Sequence, residues 1–249
     1  MTVLCLRPQA DFARVDALPP TSLQVTYLAP DDPSLAQRMK GARALVIPAV
    51  GSKLSVSLFE GSAIRLVQVT GAGLDRLDQA GLTRLGIPVA NVQGNSAVAE
   101  YAVTAATLLL RRLSAADAEI KRGNYAALRA RMIGDNLPGL EGLTVGIVGF
   151  GIIGRTVAAA FRQAGCGICY HDPAAADPQA AAAIGATPLA LDALLQRADV
   201  VSLHVPLLPS TTGLIGRREL ALMKPGAVLI QAARGGVVDE AALAHHLMS

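Results

Sequence analysis

Thr144-Val145-Gly146-Ile147-Val148-Gly149-Phe150-Gly151-Ile152-Ile153-Gly154 is the stretch on which the fold of this chain turns. An apolar run leads into three glycines spaced GxGxxG, and Ile152 to Ala164 then reads as a helix. Alone, that spacing is a weak signal, and a purely architectural turn competes with it. Here it follows a strand and opens a helix, and Asp172 stands 18 residues beyond Gly154, at the end of the next predicted strand, Ile168 to Tyr170. That context is what a dinucleotide fingerprint demands. Gly149 makes the tight turn, Gly151 lets backbone approach a pyrophosphate, and Gly154 packs helix on strand. The opening N–H groups of the helix, from Gly151 through Ile152, Ile153 and Gly154, hold the phosphate with the helix dipole behind them. Asp172 is expected to accept hydrogen bonds from an adenosine ribose.

The same alternation runs outward in both directions. Downstream come an alanine-rich region, a helix Leu191 to Arg197, strands Val200 to Leu203 and Ala227 to Ala232, and a helix from Asp239. Ala174 to Ala183 is low in complexity, but alanine is the best helix former, so a helix is expected there. Upstream, strands Val3 to Leu6, Val25 to Leu28, Ala44 to Ile47, Ile64 to Val69 and Val89-Ala90 are interleaved with helices Leu35 to Lys40 and Gln79 to Leu85. Alternation of this kind predicts α/β architecture with parallel sheets. Ser96 to Leu113 reads as one long apolar helix with Asn95 or Ser96 as its N-cap, followed by a polar, arginine-rich stretch from Arg111 to Asn136. The change of character near residue 95 predicts two doubly wound domains, residues 1–94 and 95–249.

Composition narrows the class. The 249 residues are 52% hydrophobic and 16% charged with a net charge of +3, which excludes a disordered chain. A chain of this length builds its core without disulfide or metal staples. The basic balance is no nucleic-acid footprint, since the arginines are scattered and aromatics amount to 3%. Mean hydropathy is +0.42, yet the longest apolar stretch, Val98 to Leu110, contains Glu100 and falls short of about 20 residues, so it predicts a buried helix rather than a membrane span. Arg7 and Asp11 interrupt any signal-peptide core. Three unevenly spaced cysteines fit a reduced, cytoplasmic protein. The CxxC at Cys166 and Cys169 enters a strand after a helix has ended, not the helix N-terminus that lowers a thiol pKa, so core thiols are expected and no metal site.

Taken together, several motifs resemble the D-specific 2-hydroxyacid dehydrogenases, a family that includes D-3-phosphoglycerate dehydrogenases and hydroxypyruvate and glyoxylate reductases. Leu140-Glu141-Gly142-Leu143 and the glycine stretch carry the resemblance, with His204-Val205-Pro206-Leu207-Leu208-Pro209-Ser210-Thr211-Thr212-Gly213-Leu214, Met223-Lys224-Pro225-Gly226-Ala227 and Ala233-Arg234-Gly235-Gly236-Val237-Val238-Asp239. Upstream, Gly71-Ala72-Gly73-Leu74-Asp75-Arg76-Leu77-Asp78 is similar to the family's substrate loop, and Asn95 with Val98-Ala99-Glu100 to the entry of its crossover helix. The resemblance spans residue 64 or so to the end. It implies a flavodoxin-like substrate domain (1–94), a Rossmann-type NAD domain (95–249) incomplete at its C-terminal edge, reaction in the cleft between them, and a homodimer to which Ser96 to Asn136 contributes.

By the same resemblance Arg234 is the catalytic residue, clamping the substrate carboxylate and polarising its carbonyl. A planar fork of donors suits that task, and the position after a strand is where open α/β sheets place ligands. Ala72 and Gly73 are expected on the substrate, with an ordinary strand-to-helix turn as the competing reading. His204, Val205, Pro206, Thr212, Ala232, Ala233 and, besides its catalytic role, Arg234 are expected on the cofactor side, with His204 otherwise structural. Gln231 stands where many relatives carry Asn, a departure expected to matter little. The family's acid–histidine pair lies downstream of the arginine, whereas this chain reaches Ser249 in the next helix, with His245 and His246 in the wrong element. Ala227 to Ala233 is apolar on both faces and would be an unprotected edge, so the functional protein is expected to continue past Ser249 with further strands, that pair and a returning helix. The expected activity is hydride transfer between NAD(H) and a small D-2-hydroxy or 2-oxo acid. The alternative is a catalytically incomplete NAD(H)-binding regulator. No nucleic-acid or membrane partner is expected.

Overall fold

The computed structural model describes residues 1–92, 96–174 and 177–248. Contacts divide the chain into two compact units, Met1–Gln93 and Gly94–Ser249. In the first, β1 (Thr2–Cys5), β2 (Gln24–Tyr27), β3 (Ala44–Ile47), β4 (Leu66–Val69) and β5 (Val89–Ala90) form a wholly parallel sheet in the order β2-β1-β3-β4-β5, the flavodoxin-like order. Helices α1 (Gln9–Ala13), α2 (Leu35–Met39) and α3 (Gln79–Arg84) connect the strands. Leu4, Leu45, Ile47, Val67, Met39 and Leu82 meet in one buried cluster.

In the second unit three helices, α4 (Ser96–Leu110), α5 (Leu113–Lys121) and α6 (Tyr125–Asp135), precede the sheet. Its strands are β6 (Thr144–Val148), β7 (Gly167–His171), β8 (Ala186–Pro188), β9 (Val200–Leu203) and β10 (Val228–Gln231). Between and after them run α7 (Ile152–Gln163), α8 (Pro178–Ile184), α9 (Leu191–Arg197), α10 (Arg217–Leu222) and α11 (Glu240–Met248). All pairings are parallel, and the order β10-β9-β6-β7-β8 is that of a Rossmann sheet. The central strand β6 is covered on both faces. Val145 and Ile147 pack with Ala102 and Ala106 of α4 and Phe161 of α7, while Val148 faces Leu194 and Leu195 of α9. Gly146 allows α9 to sit close, since a Cβ there would run into the Leu194 side chain.

Several local expectations are corrected. The long apolar helix ends at Leu110, not Leu113, because Arg112 adopts the left-handed conformation (φ 51°) and α5 starts anew. Ser96 is already helical, and Asn95, the other cap expected, lies outside the described residues. The arginine-rich stretch folds as α5 and α6. The alanine-rich helix spans Pro178–Ile184, later than expected, because Asp177 accepts hydrogen bonds from the N–H groups of Gln179 and Ala180 and Pro178 occupies the first turn. Short α1, α10 and β8 escape the sequence patterns altogether. Only three residues long and mostly exposed, β8 carries Pro188, which an edge strand tolerates. Among the described residues no helix is long and apolar enough to cross a membrane, and no cluster of three or more His, Cys, Asp or Glu side chains could hold a metal ion.

Candidate active site

Parallel register brings the exits of β6, β7 and β9 together, with Val148 opposite His171 on one side and Leu203 on the other. That is the point where strand order reverses, and ligands of such sheets collect there. Gly149 turns the chain with φ 91°, and a Cβ on it would lie 2.6 Å from the His204 carbonyl oxygen. Gly154 is buried against the Gly149 carbonyl, which a Cβ would overlap. Gly151 differs from both. Its φ of −71° suits any residue, and an added Cβ meets nothing within 4 Å. The protein's own packing therefore does not require glycine at 151, and the space above it is open.

Gly151 caps α7 without a side chain, and the first intrahelical hydrogen bond runs from Arg155 N–H to the Gly151 carbonyl at 2.9 Å. The N–H groups of Ile152, Ile153 and Gly154 precede that bond at the positive end of a twelve-residue helix with no acidic side chain in its first turn. Ile152 is exposed, and Ile153 packs into the core below. Asp172 does more than the sequence suggested. One carboxylate oxygen accepts the Phe150 N–H at 2.7 Å and the other the Ala174 N–H at 2.9 Å, so it braces the glycine turn from the next strand. Each oxygen keeps a lone pair for a further donor. A glycine cradle, an uncapped helix start and a carboxylate at the strand end fit a dinucleotide.

On the β9 side, Val205 is buried and Pro206 exposed. The Thr212 hydroxyl donates to the Leu208 carbonyl at 2.8 Å, inside its own turn. His204 Nε2 lies 2.8 Å from Oγ of Ser202, a fully buried serine that the sequence reading passed over. Burial pushes the His204 imidazole down to about 4 from its ordinary 6.5, so it is neutral at neutral pH. The unfolded chain then binds a proton more readily than the folded one. Stability is full above about pH 6.5 and is lost as pH falls towards 4, by roughly 3 kcal/mol for a shift of this size. Thermal unfolding followed from pH 7 to pH 4 should show this loss in the wild type and a flattened profile in His204→Asn. Parallel profiles would overturn the assignment.

Beyond β10 the chain turns through Ala232, Ala233, Arg234 and Gly235, which line a cleft of about 480 Å³ with Gln231 and, from α4, Ala97, Val98 and Tyr101. Arg234 is partly buried, and its Nη1 donates to the Ala233 carbonyl at 3.0 Å. Tyr101 was not foreseen as lining this cleft, because its apolar helix read as buried throughout, whereas the ring is largely exposed. In the first unit, Ala72 and Gly73 follow β4 in a turn whose Gly71 and Ala72 carbonyls accept from Val92 N–H and Asn91 Nδ2. Cys166 and Cys169 are buried on opposite faces of the second sheet, and burial pushes both thiols up, the reverse of a reactive pair.

A family model described as D-isomer specific 2-hydroxyacid dehydrogenase, NAD binding domain, matches residues 103–249. The chain belongs to this family. It is 36% identical over 217 residues to a D-3-phosphoglycerate dehydrogenase of Mycobacterium tuberculosis, covering 86% of this chain and 40% of that protein. It is 35% identical over 223 residues to a glyoxylate reductase of Thermococcus litoralis, covering 86% of this chain and 66% of the reductase. The chain thus spans about two fifths of the length of the phosphoglycerate dehydrogenases it matches. Among solved structures, D-lactate dehydrogenase from Aquifex aeolicus, complexed with NAD and lactic acid, superposes with a TM-score of 0.78 at 26% identity, over 100% of this chain and 73% of that one.

Proposed function

We propose that the protein catalyses hydride transfer between NAD(H) and a small D-2-hydroxy or 2-oxo acid. The observation that carries this reading is the open Gly151 at the start of α7, in a glycine turn that Asp172 braces through the Phe150 N–H, which leaves room for a pyrophosphate to approach the backbone. Residues 95–249 are read as the cofactor domain. The N–H groups of Gly151 to Gly154 hold the pyrophosphate, Asp172 takes the ribose, and Val205, Pro206, Thr212, Ala232 and Ala233 shape the rest of the cofactor's bed, with His204 beneath it. When bound, the nicotinamide supplies or accepts the hydride, and the proton gained or lost at the substrate oxygen is the part of the family's acid–histidine pair. Arg234 binds the substrate carboxylate and draws charge from its carbonyl. Residues 1–94 are read as the substrate domain, with Ala72 and Gly73 as its substrate-binding residues. Exposed apolar side chains on α4 to α6, among them Leu109, Ile120, Tyr125 and Ile133, support a homodimer through these helices. Three buried free thiols accord with the reducing cytoplasm.

The test is NADH oxidation by the purified protein over a panel of 2-oxo acids, with glyoxylate and hydroxypyruvate among them. Turnover of at least one is expected. Absence of NAD binding would refute the proposal, and NAD binding without turnover of any acid would favour the regulator instead. Cofactor choice gives a sharper check. The Asp172 carboxylate would face a 2′-phosphate, and two unit charges about 4 Å apart repel by roughly 4 kcal/mol at an effective dielectric near 20. NAD should bind at least about tenfold tighter than NADP, for which about 1.4 kcal/mol is enough. Calorimetry showing equal affinities would count against Asp172.

A further inference from the structure

We infer that Gln231 is a positioning residue for Arg234: its amide holds the turn on which the guanidinium is carried. The inference rests on reading Arg234 as the carboxylate clamp. Gln231 is the last residue of β10, paired with Leu203 of β9, and is exposed. Its Oε1 accepts the Ala233 N–H at 3.0 Å and its Nε2 donates to the Arg234 carbonyl at 2.9 Å. One side-chain amide therefore supplies an acceptor and a donor to a turn that has just left the sheet ladder. The guanidinium is folded onto the same turn, through Nη1 to the Ala233 carbonyl on the peptide between the two that Gln231 holds. Amide, turn and arginine form one hydrogen-bonded unit on the wall of the cleft that also carries Tyr101.

Two solvent-exposed hydrogen bonds add little to global stability, because water replaces them when they break. Their consequence is local: they narrow the positions open to the turn. A planar fork meets a carboxylate only in a narrow geometry, and a misplacement of about 1 Å is costly to a reaction. The effect of Gln231 should therefore be felt in substrate binding and not in folding.

Titration of oxamate, an isostere of 2-oxo acids, into protein saturated with NADH tests this. Gln231→Ala should weaken oxamate binding about tenfold, with melting temperature unchanged and NADH affinity reduced by less than about threefold, and in turnover KM should rise more than kcat falls. Gln231→Asn should restore most of the binding, because an Asn amide can still accept the N–H two residues on. Arg234→Ala separates the two claims. If it binds oxamate as the wild type does, the clamp reading fails and the inference with it. If Arg234→Ala loses oxamate while Gln231→Ala does not, only the inference on Gln231 fails. Loss of oxamate, NADH affinity and thermal stability in step in Gln231→Ala would make the residue merely structural and overturn the inference. So would a Gln231→Asn variant as weak as Gln231→Ala.

Discussion

Arg234→Ala should lower kcat/KM for the preferred 2-oxo acid by two to four orders of magnitude. Two charge-assisted hydrogen bonds to a carboxylate are lost, each worth about 1.5–3 kcal/mol, and about 1.4 kcal/mol is a factor of ten. Because the cofactor's phosphates are assigned to the start of α7 and its ribose to Asp172, NAD affinity should stay within about threefold. Steady-state kinetics with direct NAD titration measures both quantities. An efficiency within about tenfold of the wild type would remove Arg234 from the active site.

The second large effect separates the glycines that packing requires from Gly151, which is assigned to the cofactor. Gly154→Ala places a methyl on the Gly149 carbonyl, and overpacking of this kind costs about 1–3 kcal/mol, a fall of about 2–12 °C in melting temperature for a chain this size. Gly151→Ala should leave the melting temperature in place, because its methyl meets only open space. It should nonetheless weaken NAD binding at least about tenfold, by standing where the pyrophosphate must come. Differential scanning fluorimetry with and without NAD reads both variants. Wild-type NAD affinity in Gly151→Ala would mean that the turn is architectural.

The Rossmann core was legible because its signals are local. Thr144 to Val148 is apolar on both faces, the glycines break it at fixed spacing, and the observed strand has those bounds. The end of α4 was not legible, since Leu108 to Leu110 and Leu113 are apolar alike and only the backbone of Arg112 shows where the helix breaks. Nor was β8, whose three residues gain their strand geometry by pairing with Ile168 to Tyr170 of β7. Gln231 was read as a minor change from Asn. Its amide acquires meaning only once the turn beyond β10 places the Ala233 N–H and the Arg234 carbonyl within its reach.

The sequence by itself determined the α/β class, the strand-turn-helix of residues 144–163 and the family resemblance, because each rests on residue order over short spans. Tertiary structure alone decided which groups oppose each other across strands. The register of β6 with β7 and β9 sets Asp172 on the Phe150 N–H and the His204 carbonyl over Gly149. That register makes Gly149 a matter of packing, while Gly154 is packed by its own turn on the Gly149 carbonyl and Gly151 is left open. The reason is steric: glycines identical in the sequence differ in backbone φ and in what stands opposite a Cβ, and at Gly149 that neighbour is the His204 carbonyl of a strand exit remote along the chain.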